Sequence, residues 1–437
     1  MSFSIEEFSA RRDQLLASMV EGVAIVPTAA EMVRNRDSHF PYRFDSYFYY
    51  LTGFKEPEAV LVLIAGEAPK SILFCRGKDM EREIWDGFRY GPDAAKETFG
   101  FDEVYTFSQL DEVMSKLLSN QAQLFYSLGA DAAWDVKVTQ WLNQVKDLAR
   151  TGVSAPSAVR DVRQLVDQQR LIKTPFEIDL MRRSADIAAV AHNRAMQKVA
   201  AGKMENEIEA EFLHEFYRKG AQAPAYTSIV AGGANACTLH YNANNAVLND
   251  GDLLLIDAGC ELDGYASDIT RTFPVSGKFS GPQKDLYEIV LASQLAAIDA
   301  AKPNNHWNMP HEAALDVLVQ GFIDVGLCQG TKAQVLENGD YSQFYMHRTG
   351  HWLGLDVHDV GDYKSKQGDW AALEAGHVLT VEPGCYVRPA DNVPEAFWNI
   401  GIRIEDDVLI TAQGNEVLSK GAIKTVADIE SQMAGSQ

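Results

Sequence analysis

The sequence predicts an α+β protein in which an α/β domain precedes a second, larger domain. The chain of 437 residues is longer than a single hydrophobic core usually extends. Before residue 173, short apolar stretches alternate with helical patterns, as in a sheet covered by helices. After it, helices and strand-like segments follow without strict alternation, which favours antiparallel pairing.

The α/β domain is predicted for residues 1–172. Its strand-like stretches are GVAIVP, AVLVLIAG, SILFC and AQLFYSLG, and helical patterns such as FSARRDQLLASM and LDEVMSKLLS lie before and between them. Apolar runs of this length predict buried strands, and the longer amphipathic segments predict helices that pack on them.

The second domain is predicted for residues 173–437. Thr174 can cap a helix, Pro175 fits its first turn, and Glu177 completes a capping box. Two helical stretches, FEIDLMRRSADIAAVAHNRAM and ENEIEAEFLHEFYRKG, precede the strand-like YTSIVAGG. A new folding unit is therefore expected to start with this helix pair.

The rest of the second domain is predicted to contain one long helix and further strands. The helix starts near Pro282 and carries Leu291, Leu295 and Ile298 at the spacing of one helix face. Strand-like GHVLTVEPGCYV and NIGIRIEDDVLIT follow.

Composition excludes several classes of protein. The net charge of −22 disfavours nucleic acid as a partner, because phosphate-binding surfaces need an excess of Lys and Arg. No apolar run reaches the length of a membrane span and no leader peptide is recognisable, so we expect a cytoplasmic protein without a membrane partner. The five cysteines are few, odd in number and far apart, which argues against a disulfide framework.

Two aspartates stand inside a predicted β-hairpin, IDAGCELDGYASDITRTFPV. If Asp263 and Gly264 form a two-residue turn, Asp257 lies opposite Thr270, and Asp268 points to the same face. Like charges this close repel each other, and a bound cation would remove the conflict. The alternative is a slipped register or an exposed hairpin with two solvated aspartates.

Three histidines, His347, His351 and His358, cluster in YMHRTGHWLGLDVHDVG. The spacing of the first two resembles the HExxH pattern of zinc proteases, but Arg348 replaces the glutamate and Gly350 disfavours a helix. The zinc-protease interpretation is therefore rejected. Taken singly, each histidine is more often a hydrogen-bonded structural residue than a ligand; the cluster is what indicates a site.

Two glutamates complete the candidate set. Glu382 ends an apolar run before Pro-Gly, and Glu405 follows the strand-like IRI, with Arg403 on the same face. Singly they would be sheet-end charges, and the Arg403–Glu405 pair a surface ion pair of little energetic value. Four carboxylates with one imidazole suit a divalent ion such as manganese better than structural zinc.

These motifs carry a resemblance to a known family. The segments IDAG, SDITRTF, HWLGLDVHDVG, TVEPG and IRIEDD resemble, in order and context, the five ligand motifs of the pita-bread metallopeptidases. YRFDSYFYYLTGFKEPEAVLVL and EREIWDGFRYG resemble the creatinase-like amino-terminal domain of the aminopeptidase P group, bacterial type. Phe88 departs from the pattern, which has a basic residue there.

The resemblance implies two divalent metal ions, most readily Mn²⁺, and a ligand for each motif. It assigns Asp257 to one ion, Asp268 and Glu405 to both, and His351 and Glu382 to the other. A hydroxide that bridges the ions would then attack the peptide bond, with Glu382 as base and then acid.

The resemblance also implies roles for other side chains. His240, His347 and His358 are expected to line the site and stabilise the oxyanion, and Tyr386 and Arg403 to shape a pocket for proline. Trp85 of the amino-terminal domain is expected to narrow a neighbouring subunit's pocket in a homodimer or homotetramer. Without the resemblance, Trp85 would be interpreted as half-buried packing and His240 as a polar loop residue.

The activity implied is release of the amino-terminal residue from peptides with proline at position 2. An alternative is prolidase, which cleaves only dipeptides. A second alternative, of another class, is a metal-free pita-bread protein, either an amidinohydrolase such as creatinase or a non-catalytic binding module.

Overall fold

The computed structural model describes residues 5–435, and the chain divides into two compact units between Arg170 and Leu171. The first unit contains helices and one six-stranded sheet. Its helices are α1 (Ile5–Met19), α2 (Ser46–Thr52), α3 (Met80–Asp86), α4 (Gly91–Phe99), α5 (Leu110–Leu118), α6 (Ala132–Asp147) and α7 (Arg163–Leu171). Its strands are β1 (Gly22–Pro27), β2 (Val33–Asn35), β3 (Ser38–His39), β4 (Val60–Ala65), β5 (Lys70–Cys75), β6 (Glu103–Thr106), β7 (Gln123–Phe125) and β8 (Ala158–Arg160).

The sheet of the first unit has the strand order β6-β5-β4-β1-β7-β8. Alternate residues of the central strands, such as Val23 and Ile25 of β1, are buried against α5 and α6, where Met114 and Trp141 pack. This period of two is what places one face of each strand under the helices. The predicted α/β layer is confirmed, with antiparallel β1–β4 and β4–β5 pairs and parallel pairs at both edges.

The second unit mixes helices with short antiparallel sheets, as predicted. Its helices are α8 (Pro175–Lys198), α9 (Glu205–Arg218), α10 (Gly281–Ala300), α11 (Met309–Asp324), α12 (Lys332–Asn338) and α13 (Val426–Ala434). Its strands are β9 (Ala223–Pro224), β10 (Ile229–Gly232), β11 (Leu253–Asp257), β12 (Cys260–Leu262), β13 (Tyr265–Ala266), β14 (Thr270–Pro274), β15 (Val378–Val381), β16 (Gly384–Val387), β17 (Ile400–Arg403), β18 (Asp406–Thr411) and β19 (Gly414–Val417).

Local sequence signals set the helix boundaries of the second unit. Thr174 caps α8, and the backbone amide of Thr174 donates to Glu177 Oε2 at 2.9 Å, as the capping box predicted. The apolar face assigned to α10 is partly wrong. Leu291 and Ile298 are buried, but Leu295 is 49 % exposed, because the buried stripe passes through Gln294 and Ala297 instead.

The hairpin has the predicted turn and register. Asp263 and Gly264 both have positive φ, 49° and 85°, as a tight two-residue turn requires. Asp257 pairs with Thr270, as expected. Each arm is divided between two sheets, however: β11 and β14 pair in one, and β12 and β13 pair in the other. Asp268 lies in the segment between β13 and β14, not inside a strand. At the change of sheet Gly259 is essential, because a Cβ there would overlap the carbonyl oxygen of Ser267.

The strands that flank Glu382 and Glu405 also change sheet. β15 pairs with β18, whereas β16 pairs with β17. Glu382 lies between β15 and β16, and Glu405 lies between β17 and β18. Both glutamates therefore stand at the same break in the ladder, where side chains leave the regular alternation and can converge.

The structure bears on the expectations about membrane spans and cysteines. In residues 5–435, no helix combines the length and apolar character needed to cross a membrane. All five cysteines are buried free thiols.

Candidate metal centre

Side chains from separated segments of the second unit line one cavity of about 530 Å³. The segments are the residues on either side of β10, the end of β11, the approach to β14, the loop after α12, and the break in the ladder where Glu382 and Glu405 stand. The candidate residues that line the cavity are Asp257, Asp268, His351, Glu382, Glu405, His240, His347, His358 and Arg403.

Three of these residues form a tight group. Ligand atoms of Asp268, His351 and Glu405 all lie within 4.8 Å of one another. His351 Nε2 is 3.3 Å from Asp268 Oδ2 and 3.9 Å from Glu382 Oε1. Asp257 and Glu382 line the same cavity but lie outside the tight group.

The surroundings raise the pKa of three of the carboxylates, Asp268, Glu382 and Glu405. Burial, followed by repulsion from Asp257, raises the pKa of Asp268. Burial raises the pKa of Glu382 to about 7, and burial together with Asp268 and Glu382 raises that of Glu405 well above its usual value. Crowded acidic groups in a site of low dielectric need positive charge to be stable as anions.

The ring of His351 is oriented for ligation. Its Nδ1 lies 2.9 Å from the carbonyl oxygen of Trp352, which can only accept, so Nδ1 is protonated and Nε2 faces the acidic group. Burial lowers the pKa of His351, but the hydrogen bond to Asp268 and its charge prevail and raise it to about 9. A cation at Nε2 would take the place of that proton.

Arg403 connects the carboxylates to the aromatic side of the site. Its guanidinium is buried and donates to Asp257 Oδ2 at 2.6 Å, to Tyr386 Oη at 3.0 Å and to Thr270 Oγ1 at 3.2 Å. Tyr386 in turn donates to His347 Nε2 at 2.8 Å, because His347 Nδ1 donates to the carbonyl oxygen of Arg348. Burial and Arg403 lower the pKa of His347 to about 4.

This network differs from the roles predicted for His347 and Tyr386. Both ring nitrogens of His347 are engaged, so in this arrangement it offers no N–H to the cavity. Tyr386 is fully buried and is not part of the cavity lining; it holds His347 and Arg403 from behind. His240 and His358 are exposed cavity residues, and the His358 ring packs edge-on against His351 with centroids 4.4 Å apart.

Two residues of the site were missed from the sequence. The hydroxyl of Tyr226 lies 2.5 Å from Oδ1 of both Asp257 and Asp268 and so joins the two carboxylates. Thr270 Oγ1 donates to Glu405 Oε2 at 2.6 Å. The hairpin register placed Thr270 opposite Asp257 and could have indicated its role, whereas no signal in the sequence marks Tyr226.

Trp85 lies on α3 of the first unit. It is 83 % exposed, so the alternative of half-buried packing is wrong. Met80, Ile84 and Phe88 of the same short stretch are also exposed.

The donor chemistry of the cavity fits divalent metal ions: crowded acidic oxygens with one imidazole whose Nε2 faces them. Fold and site therefore define a metallohydrolase. The family model "Metallopeptidase family M24" matches residues 179–412, and "Aminopeptidase P, N-terminal domain" matches residues 8–126. The chain belongs to metallopeptidase family M24 and has the pita-bread catalytic domain together with the aminopeptidase P amino-terminal domain.

Relatives are similar over the whole chain. Xaa-Pro aminopeptidase of Escherichia coli (strain K12) is 43 % identical and that of Haemophilus influenzae is 44 % identical, with 99 % and 98 % of this chain and 99 % and 97 % of theirs covered. The structure of Pseudomonas aeruginosa aminopeptidase PepP matches with a TM-score of 0.98 at 46 % identity, covering 99 % of each chain. Zn-substituted E. coli aminopeptidase P in complex with product matches with a TM-score of 0.97 at 42 % identity, covering 100 % of each.

Proposed function

We propose that the protein is an Xaa-Pro aminopeptidase, which hydrolyses the first peptide bond of peptides that have proline at position 2. The observation that carries the proposal is the grouping of Asp268, His351 and Glu405, with Asp257 and Glu382 at the same cavity. It occurs in a chain similar over its full length to relatives of that name.

The five cavity ligands would hold two divalent ions, for which we propose Mn²⁺. Four carboxylates carry four formal negative charges when ionised, and two divalent ions carry four positive charges, so the ions would balance the charge of the carboxylates. Oxygen-rich sites with a single imidazole favour manganese over structural zinc. When bound, the ions supply Lewis-acid chemistry, because they lower the pKa of water and polarise a carbonyl group.

Glu382 is proposed as the proton carrier. Its side chain is 18 % exposed to the cavity, against 7 % for Asp268, while Glu405 is buried, so Glu382 is the acidic group of these three that solvent and substrate reach most easily. From this position it can take a proton from the attacking water and deliver it to the departing nitrogen of proline. That nitrogen belongs to a tertiary amide and carries no hydrogen of its own before cleavage.

His240 and His358 are proposed to donate hydrogen bonds to the oxygen that becomes negative during attack. Both are exposed side chains of the cavity, and such donors are commonly worth about 3 kcal/mol each. His347 instead forms a wall of the cavity, fixed by Tyr386, and Arg403 holds Asp257 in place through a hydrogen bond.

The decisive experiment is a peptide series that differs only at position 2, assayed with Mn²⁺ and with a chelator. We expect cleavage of the X-Pro peptide only with metal. With alanine at position 2 we expect cleavage to be slower by roughly a hundredfold or more, because a pocket shaped for the proline ring discriminates against a smaller side chain. Equal cleavage of both peptides would remove the proposed specificity. An X-Pro dipeptide and a longer X-Pro peptide are compared in parallel, since cleavage confined to the dipeptide would indicate a prolidase.

We also propose that the protein is a cytoplasmic homo-oligomer, a dimer or tetramer, in which residues 1–172 form the oligomerisation domain and residues 173–437 the catalytic domain. Support comes from the exposed apolar side chains Ile84 and Trp85 on α3 and Phe88 just after it, because a stretch of this kind is suited to burial against another chain. Light scattering tests the assembly. Trp85→Ala is expected to lower activity on long peptides more than on short ones, and an unchanged ratio would contradict the role of Trp85.

A further inference from the structure

A buried carboxylate outside the metal centre organises the segment that carries His240. Glu205, the first residue of α9, is fully buried. Its Oε1 accepts from the backbone amide of Gly232 at 2.8 Å and from Asn235 Nδ2 at 3.0 Å. Its Oε2 accepts from the hydroxyl of Tyr241 at 2.7 Å and from the backbone amide of Ala246 at 2.9 Å.

All four donors belong to the segment 232–246, which we call the His240 segment. Leu239, His240 and Asn242 of this segment line the cavity. None of the hydrogen bonds that fix the segment to Glu205 is made by the His240 ring, so the anchored segment brings the imidazole to the site while the ring stays free of Glu205. The backbone amide of Glu205 also donates to the carbonyl oxygen of Ala246, which closes the contact in both directions.

Four donors converge on the carboxylate of Glu205, two on each oxygen. A buried anion carries a large desolvation cost, which four hydrogen bonds to the charged form offset. No ligand atom of Glu205 belongs to the metal group of Asp268, His351 and Glu405. The arrangement therefore serves to fix the position of the His240 segment and not to bind metal.

We infer that Glu205 is a positioning residue that fixes the His240 segment so that His240 faces the reacting carbonyl. The inference rests on the proposed function, because it needs His240 to act on the substrate. Misplacement of a catalytic group by about 1 Å can cost up to a hundredfold in rate. The consequence is that Glu205 affects turnover without touching substrate or metal.

Glu205→Gln tests the inference with little change in volume. An amide has one acceptor oxygen, so in one orientation Gly232 and Asn235 lose their acceptor, and in the other the amide of Ala246 does. Glu207→Gln is the matched control, because Glu207 is exposed on the same first turn and only accepts from the backbone of Met204, which an amide oxygen can also do.

The experiment is a double-mutant cycle on the manganese-loaded enzyme with an X-Pro peptide. Glu205→Gln is expected to lower kcat roughly tenfold with KM and metal content unchanged, and to change kcat less than about twofold in the His240→Ala background. An equal fold loss in both backgrounds would mean that Glu205 acts through general stability, and would overturn the inference. Activity of His240→Ala equal to that of the parent enzyme would overturn it too, whereas lack of X-Pro cleavage by the parent enzyme would instead reject the proposed function.

A second readout does not depend on catalysis. Amide hydrogen exchange at Gly232 and Ala246 is expected to accelerate in Glu205→Gln and to stay unchanged in Glu207→Gln. Unchanged exchange would contradict the anchoring role. If Glu205→Gln does not fold, Tyr241→Phe takes its place in the cycle, because it removes one of the four donors and leaves the carboxylate intact.

Discussion

Arg403 donates from Nη2 to Oδ2 of Asp257 at 2.6 Å, so a buried guanidinium holds one of the carboxylates of the metal centre. The same guanidinium reaches Tyr386 and Thr270. The Arg403 side chain thus contacts an acidic residue of the site, an aromatic residue behind it and the hydroxyl that donates to Glu405.

We expect Arg403→Ala to lower kcat/KM roughly a hundredfold, because Asp257 loses the guanidinium that holds its Oδ2 and its carboxylate is less well fixed. Arg403→Lys should remain impaired, since an ammonium group cannot reproduce a planar fork with three separate contacts. Tyr386→Phe, which keeps the ring and removes only the hydroxyl, is the milder comparison. Steady-state kinetics on an X-Pro peptide measure the effect, and values within twofold of the parent for Arg403→Ala would contradict it.

The hydroxyl of Tyr226 is expected to stabilise the metal-free protein more than the metal-loaded protein. Its hydroxyl joins Asp257 and Asp268, and Tyr226→Phe should lower the free energy of unfolding of the metal-free protein by about 1–2 kcal/mol. In the metal-loaded protein the positive charge of the ions would offset the repulsion between the two carboxylates, so the loss should be smaller. Urea unfolding of both forms measures the difference.

Tyr287→Phe is the control for this comparison. The hydroxyl of Tyr287 is bonded to the carbonyl oxygen of Lys424, away from the cavity lining, and its loss should destabilise both forms equally. An equal effect of Tyr226→Phe on the two forms would show that the hydroxyl does not respond to metal.

Thr270→Val is expected to weaken metal binding 10- to 100-fold, which is the usual effect of removing a group that orients a ligand. The hydroxyl of Thr270 donates to Glu405, and valine keeps the shape without the donor. Thr272→Val is matched to it on the same strand, because the hydroxyl of Thr272 is bonded only to the backbone of Arg403. Titration calorimetry with Mn²⁺ should separate the two variants, and an equal loss of affinity would refute the role given to Thr270.

The free energy of unfolding should fall below pH 6.5 because of His377. Its Nδ1 accepts from the backbone amide of Glu374, and burial followed by the charge of Lys173 lowers its pKa to about 4. The unfolded chain binds a proton near pH 6.5, so the stabilisation is complete above that pH and is lost as the pH falls toward 4. Between pH 7 and pH 5 this amounts to about 2 kcal/mol.

His377→Asn should flatten that part of the stability profile, because the amide oxygen can accept the same hydrogen bond without titrating. His214→Asn is the control, since His214 is exposed on α9. Urea unfolding at several pH values is the measurement. Parallel profiles for the parent and His377→Asn would count against the assignment.

The sequence predicted much of the fold where short-range physics decides it. The capping box at Thr174 and Glu177 marked the start of α8, and the Asp263-Gly264 turn set the hairpin register. Periodicity was less reliable on α10, where Leu295 is exposed, because a helix that packs on several neighbours buries more than one stripe. The break that puts Asp268 outside a strand depends on Gly259 and was not apparent from the apolar pattern.

By itself the sequence determined which acidic and imidazole side chains are available, in which order, and beside which strand ends. Only the tertiary structure decided that they meet: Asp257 and Arg403 are 146 residues apart, and Tyr226 is 42 residues from Asp268. It also decided which nitrogen of His351 faces the acidic group and that Glu205 anchors the His240 segment. The reason is that hydrogen bonds and charge interactions depend on distances of a few ångströms between remote segments, whereas a sequence pattern reports only neighbours along the chain.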